Sequence, residues 1–234
     1  MKGVILVGGM GTRLRPVTYE IPKPLIPVQK KPITNHLIDL FHKHGINDVA
    51  LLAARIHEDD FRRWQKAWDD HLTQRKVSIF YEEKPRGTLG GFELLKGWLN
   101  GERFVVTNGD DLKDVDFTGM IDLHEKEGAL ATLALIEVPD ARSKGVPVRE
   151  GNKIVEFLEK PENPPSNWIS AGTYILEPET LDMVDFGQEY LMIEKDLFPK
   201  LAKQGKLAGF EMINSRWYDC GTLENWEKAI KEWE

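Results

Sequence analysis

A β-branched run, Gly3-Val4-Ile5-Leu6-Val7, empties directly into Gly8-Gly9-Met10-Gly11-Thr12-Arg13-Leu14-Arg15-Pro16, with Pro22-Lys23-Pro24 close behind. A strand that runs into so many glycines is followed by a turn whose backbone, rather than its side chains, faces whatever lies beyond the strand end. Backbone N–H groups in such a turn converge on an anion. Arg13 and Arg15 offer forked donors and Lys23 a compact charge, so the loop suits a polyphosphate. Two familiar glycine loops are excluded by spacing. The Gly-x4-Gly-Lys-Ser/Thr pattern is absent, and the third glycine of the dinucleotide fingerprint falls at Leu14, which removes a dinucleotide-dependent oxidoreductase from the field. On the residues alone, a tight strand-to-helix turn with solvated arginines stays as the alternative.

The rest of the chain alternates in the same style. Thr34 is placed to cap a helix with Leu37, Ile38, Leu40 and Phe41 on one face, Ile33 stapling against Ile38 and Gly45 ending it. Val49–Ala53, Val77–Tyr81, Phe104–Val106 and Leu130–Ile136 read as strands. Helices are predicted over 59–71, 89–99 and 120–127. This alternation predicts an α/β fold: one Rossmann-like, three-layer domain around a mostly parallel mixed sheet. After Pro139 the rhythm changes. Val146–Arg149 and Ile154–Leu158 flank Glu150-Gly151-Asn152 and predict an inserted β-hairpin, Trp168–Leu176 a further strand, and 192–204 and 223–233 helices. Within this single domain over 1–234 the change of rhythm divides a first half, 1–138, from a second, 139–234.

A chain of 234 residues with a net charge of -7 argues against nonspecific nucleic-acid binding, and no apolar run approaches the roughly 20 residues that span a bilayer. The opening Met1-Lys2-Gly3 carries no signal-peptide core, and the single Cys220 excludes an intrachain disulfide and a multi-cysteine zinc cage. A soluble cytoplasmic protein is expected, with a homo-oligomer left open. The six histidines fall outside every motif and are read as surface or helix-end residues; His42 and His44, two apart on a helix, do not share a face.

Because ligands of open α/β sheets sit beyond the carboxyl ends of strands, Asn108-Gly109-Asp110-Asp111 is the first place to look for an acid. An aspartate there suits Mg²⁺, which takes one or two carboxylates together with phosphate oxygens and water. Read alone it is equally a polar turn. Trp217-Tyr218-Asp219-Cys220-Gly221-Thr222 supplies a second carboxylate and, in Thr222, an N-cap for the last helix. Glu159-Lys160-Pro161 follows a strand but on its own reads as a solvated ion pair.

Taken together, Gly-Gly-x-Gly-Thr-Arg-Leu-x-Pro, the following Pro-Lys-Pro and the Pro27-Val28 to Lys31-Pro32 segment resemble the signature of the sugar-1-phosphate nucleotidyltransferases, and the resemblance extends over nearly the whole chain. It implies the nucleotide-diphospho-sugar transferase fold, and a reaction joining a nucleoside triphosphate to a sugar 1-phosphate with release of pyrophosphate, as in nucleotide-sugar supply for cell-envelope polysaccharide. It implies that Arg13, Lys23 and Asp110 are catalytic, that Asp110 and Asp219 hold Mg²⁺ with Asp111 the lesser candidate, and that Gly8, Gly9, Gly11 and Thr12 cradle the triphosphate. Glu83-Lys84-Pro85-Arg86-Gly87-Thr88-Leu89-Gly90 resembles the base-recognition loop, which brings in Gly87 and Thr88. Gly145, Glu159, Lys160, Ser170 and Ala171 match sugar-phosphate positions, so the resemblance implies a mainly nucleotide-binding half over 1–138 and a mainly sugar-phosphate-binding half over 139–234. Ser170 departs from the usual asparagine, and Lys144 from the usual tyrosine. The spelling of these loops leans toward guanylyl or uridylyl transfer and away from thymidylyl transfer. Mannose-1-phosphate guanylyltransferase activity with GTP is the leading expectation, UTP next. The alternatives are a uridylyltransferase for glucose 1-phosphate or an amino-sugar 1-phosphate, a heptose-1-phosphate guanylyltransferase, a phosphocholine-type cytidylyltransferase, and a noncatalytic nucleotide-sugar sensor. No second domain is expected after the last helix.

Overall fold

The computed structural model describes residues 1–73 and 75–233. In chain order its elements are β1 (Lys2–Leu6), β2 (Pro27–Val28), β3 (Lys31–Pro32), α1 (Ile33–Lys43), β4 (Asp48–Ala54), α2 (Glu58–Ala67), α3 (Asp69–Leu72), β5 (Lys76–Glu82), α4 (Lys96–Leu99), β6 (Phe104–Asn108), β7 (Asp111–Lys113), α5 (Phe117–Glu127), β8 (Ala131–Glu137), β9 (Gly145–Glu150), β10 (Lys153–Glu159), β11 (Trp168–Leu176), α6 (Phe198–Lys203), β12 (Leu207–Glu211), β13 (Trp217–Asp219) and α7 (Leu223–Glu232). The chain forms two compact units. One comprises Met1–Pro85, Thr107–Asp114 and Arg216–Glu234, the other Arg86–Val106 and Val115–Ser215.

In the first unit β1 runs parallel to β4, and β4 parallel to β5. Strands β1 and β4 are apolar runs without alternation, as strands covered on both faces require, whereas β5 at the sheet edge is half-buried. Val4, Ile5, Ala50 and Leu51 are fully buried. Helix α1 presents Ile33, Leu37, Ile38 and Phe41 inward, one stripe at the 3.6-residue period. Its start corrects the expected Thr34 cap. Pro32, extended with φ -54°, sets the entry, and the Thr34 hydroxyl instead donates to the Pro24 carbonyl at 2.8 Å. That bond ties α1 to the segment that carries Lys23.

The second unit holds a mixed sheet in the order β6-β11-β8-β12-β10-β9, to which β6 contributes Phe104–Val106. Strand β11 is antiparallel to β8, and β12 parallel to it. The expected hairpin is present: β9 and β10 pair antiparallel from Lys153 opposite Glu150 to Glu159 opposite Gly145. The α/β class is as expected.

Several boundaries differ. The helix predicted over 59–71 breaks at Trp68, whose ψ of 19° is not helical. The one over 89–99 is a 3₁₀ run, Gly90–Leu95, before α4, because two glycines at its start oppose α-helix. The one over 192–204 opens with a wide turn closed by Phe198 N–H donating to the Ile193 carbonyl. Pro199, which has no N–H to give Lys195, then starts α6. Helix α5 begins earlier than predicted, at Phe117, because Asp116 caps it by accepting from Gly119 N–H at 3.1 Å. Strands β7, β12 and β13 were not anticipated.

Candidate active site

In the first unit the chain leaves β1 through the glycine loop. Gly11 is left-handed at φ 58°, and its carbonyl accepts from Leu14 N–H and from the Thr18 hydroxyl, each at 2.9 Å. Thr12 and Arg13 are exposed, as is Arg15, whose guanidinium lies 4.9 Å over the Tyr19 ring. Lys23 is buried. Its Nζ donates to Asp110 Oδ2 at 2.6 Å and stands 3.9 Å from Asp219 Oδ1. Three residues distant in sequence thus converge: Lys23 from a 3₁₀ turn of helix, Asp110 from the turn after β6, and Asp219 from a strand end. Asp110 is brought there by Gly109, whose N–H donates to the Leu6 carbonyl at 2.9 Å. Asp219 arrives at the end of β13, which pairs antiparallel with β7 so that Asp219 faces Asp111 and Trp217 faces Lys113. Arg13 joins them. A side chain on Gly221 would begin 2.6 Å from Asp219 Oδ1 and 2.9 Å from Arg13 Nη2, so the bare backbone there leaves room for both groups.

Asp110 is half-exposed and Asp111 buried. Burial pushes the Asp111 carboxyl up to about 6; Lys113 opposes that rise and the charge on Asp110 adds to it. Lys113 Nζ lies 2.7 Å from Asp111 Oδ1, and Trp217 Nε1 donates to Oδ2 at 3.1 Å. Sequence reading missed this inner pair. Burial likewise pushes the Cys220 thiol up to about 12, so it is inert as a thiolate.

Two carboxylates aimed at one ammonium are a hard-oxygen donor set that suits Mg²⁺, an ion that completes its shell with phosphate and water. Among the described residues no group of three or more His, Cys, Asp or Glu forms a metal cage.

In the second unit Gly87 takes φ 82°, and a side chain there would begin 2.2 Å from the Leu191 carbonyl oxygen. Leu89 N–H donates to that same oxygen, and Leu191 N–H to the Arg86 carbonyl, each at 3.0 Å. The Thr88 hydroxyl donates to Glu194 Oε2 at 2.6 Å and accepts from Ile193 N–H at 3.0 Å. It is therefore engaged within the unit. Glu194 was not foreseen. Its buried carboxyl is pushed above the ordinary range, with Glu159 adding to the rise and Thr88 and Lys160 opposing it.

The hairpin sets Gly145 directly opposite Glu159, and Lys160 follows in the left-handed region at φ 53°. Its backbone N–H donates to the Lys144 carbonyl at 3.1 Å, and its exposed Nζ lies 3.4 Å from Glu159 Oε1. Ser170 and buried Ala171 sit where the β11–β8 register shifts, between Ser170 and Tyr174. The histidine reading needs one correction. His124 is buried on α5, with Nδ1 2.7 Å from Thr132 Oγ1 and Nε2 3.2 Å from Glu177 Oε1.

A side chain on Gly11 would begin 3.0 Å from Lys23 Cβ, so the glycine loop packs against the residue that Asp110 and Asp219 meet. The family model described as Nucleotidyl transferase matches residues 2–234, and the chain belongs to that family. It is 36% identical over 231 residues to the mannose-1-phosphate guanylyltransferase of Mycobacterium tuberculosis, covering 97% of this chain and 62% of the relative. It is 35% identical over 244 residues to the UTP–glucose-1-phosphate uridylyltransferase of Synechocystis, covering 99% and 63%. The chain thus spans about three fifths of the length of these curated relatives. Among solved structures it is similar to a provisionally named glucose-1-phosphate thymidylyltransferase from Bacillus anthracis (TM-score 0.88, 26% identity, 99% of this chain and 94% of that one). It is also similar to HddC from Yersinia pseudotuberculosis (TM-score 0.82, 25% identity, 100% and 99%), whose structure complexed with GMP-PN matches at a TM-score of 0.81. Among the described residues no helix is long and apolar enough to cross a membrane.

Proposed function

We propose that this chain is a sugar-1-phosphate nucleotidyltransferase whose substrates are GTP and mannose 1-phosphate. A phosphate oxygen of the sugar 1-phosphate attacks the α-phosphorus of the triphosphate. The bond from that phosphorus to the oxygen bridging to the β-phosphate breaks, and pyrophosphate leaves with the electron pair. The nucleophile is already an anion, so no base has to remove a proton. What remains is to hold two polyanions in line and to offset the charge that accumulates between them.

The convergence of Lys23, Asp110 and Asp219 carries this reading. Lys23 offers a buried ammonium to the triphosphate, Arg13 a second cation from the glycine loop, and the backbone of Gly8, Gly9, Gly11 and Thr12 a cradle. Mg²⁺ held by Asp110 and Asp219 would supply further neutralisation of the phosphates. Gly87 and Thr88 belong to the loop assigned to the base. Since the Thr88 hydroxyl is engaged by Glu194, its part is to shape that loop. In the hairpin Glu159 is assigned to sugar hydroxyls and Lys160 to the sugar phosphate, with Gly145, Ser170 and Ala171 alongside.

The preference for guanine draws on the mannose-1-phosphate guanylyltransferases among the relatives and on the GMP-PN complex of HddC. The Synechocystis relative supports a second reading, uridylyl transfer to glucose 1-phosphate. Product analysis after incubation with each pairing of GTP or UTP with mannose or glucose 1-phosphate separates them. GDP-mannose as the main product supports the first reading, and UDP-glucose the second. No nucleotide sugar from any pairing, with folded protein, rejects both.

A further inference from the structure

We propose that Lys113 is a positioning residue that keeps Asp111 out of the cation site, so that two carboxylates rather than three face Lys23; this rests on the reading of Asp110 and Asp219 as the metal-holding pair. Residues two apart on a strand share a face, and so do residues directly opposite on a paired strand. Asp111 and Lys113 lie on β7, opposite Asp219 and Trp217 respectively on β13. One face of this three-residue ribbon therefore carries two acids, a lysine and an indole. Carboxylates directly opposite one another repel. Asp111 is also the chain neighbour of Asp110, so it is the acid best placed to compete for whatever cation the other two hold.

Two groups approach its carboxylate, one in an ion-pair contact without hydrogen-bond geometry and one by a hydrogen bond. Lys113 Nζ lies 2.7 Å from Oδ1, and the Trp217 indole N–H donates to Oδ2 at 3.1 Å. Lys113 is 2% exposed and Asp111 5%. Burying an ammonium and a carboxylate in so short a strand is costly, and a pair of apolar residues would brace the ribbon as well. What an apolar pair cannot do is give the inner face a positive charge beside an inward-facing acid. Lys113 acts through Asp111 and is not placed against substrate.

A charge-setting role predicts opposite signs for two single variants. The probe is Mn²⁺ alone, titrated into the full chain at pH 8 and followed by its electron paramagnetic resonance signal. Lys113→Met removes the inner cation and is expected to tighten Mn²⁺ binding by about 5-fold or more while lowering turnover. Asp111→Asn leaves the inner ammonium without its acid and is expected to weaken binding by a similar factor. The double variant is expected to return close to wild type. A merely structural pair would weaken Mn²⁺ binding in both single variants, and that result, or unchanged affinity in both, overturns the proposal. If Lys113→Met does not fold, Asp111→Asn and the double variant decide: weakened Mn²⁺ binding in the first that is restored in the second supports the role, and equal affinity in the two, or lost affinity in the double variant, overturns it. Wild-type binding that ignores Asp110→Asn and Asp219→Asn removes the cation site, and this inference with it. Binding sensitive to those two changes but without the opposite signs overturns the inference alone.

Discussion

The ammonium of Lys23 lies 2.6 Å from Asp110 Oδ2, although the two residues stand 87 positions apart in the chain. Lys23 is held in place by neighbours that are themselves tied down, since the Thr34 hydroxyl bonds the Pro24 carbonyl and Gly109 N–H bonds the Leu6 carbonyl. A charge fixed before substrate arrives costs no reorganisation during reaction, which is the condition for strong electrostatic catalysis.

Lys23→Ala and Asp110→Asn are each expected to lower turnover by at least about 100-fold, the scale for loss of a preorganised contact. Steady-state pyrophosphate release, with folding checked by circular dichroism, measures it. A folded variant at near wild-type rate removes that residue from the mechanism.

Glu159→Gln and Lys160→Ala should act on the other substrate. The first removes the charge assigned to the sugar hydroxyls and the second the cation assigned to the sugar phosphate, so KM for mannose 1-phosphate should rise by about 10-fold or more while KM for GTP stays within a factor of two or so. Equal changes in both constants contradict the assignment.

Gly87→Ala tests the backbone of the base loop. A methyl group would begin 2.2 Å from the Leu191 carbonyl oxygen, at a residue held at φ 82°. Destabilisation of about 1–3 kcal/mol is expected, with a raised KM for the nucleotide. Thermal melting and nucleotide titration check both, and an unchanged melting temperature refutes the strain.

His124 makes a contribution of defined sign to the pH dependence of stability, opposed in the same range by Asp111, whose carboxyl burial raises to about 6. Burial holds the His124 imidazole below its ordinary 6.5, and this outweighs the nearby Glu177 carboxylate, which favours the proton. As pH falls below about 6.5 the unfolded chain therefore takes up a proton that the native chain resists, and stability drops through that window. His36 and His71 shift in the same direction, again chiefly through burial. His124→Gln should flatten, without abolishing, the fall in melting temperature between pH 7.5 and 5.5. A slope equal to wild type contradicts the assignment.

What could be read from the sequence was what local pattern carries. Strands β4, β5 and β11 and the β9–β10 hairpin announce themselves through apolar runs bounded by turns, and the Thr222 cap is as expected, accepting from Asn225 N–H at 3.2 Å. Strands β7 and β13 are three residues each, too short for any periodicity, and Asp111 and Lys113 are residue types that ordinarily stay at the surface. Their burial follows only from the pairing of two segments about a hundred residues apart. The Thr88–Glu194 bond is invisible for the same reason, with 106 positions between its partners. Thr34 misled because a hydroxyl before an apolar stripe looks like a cap, while the preceding proline had already set the helix entry.

The most direct test follows the phosphorus atoms. GTP labelled at the α-phosphate and, separately, at the γ-phosphate is incubated with mannose 1-phosphate and the products are resolved. Attack at the α-phosphorus places the first label in GDP-mannose and the second in pyrophosphate, and both transfers should need mannose 1-phosphate and fail with Lys23→Ala. The γ-label in a sugar bisphosphate or in free orthophosphate would mean attack at the terminal phosphorus, and would contradict nucleotidyl transfer at this site.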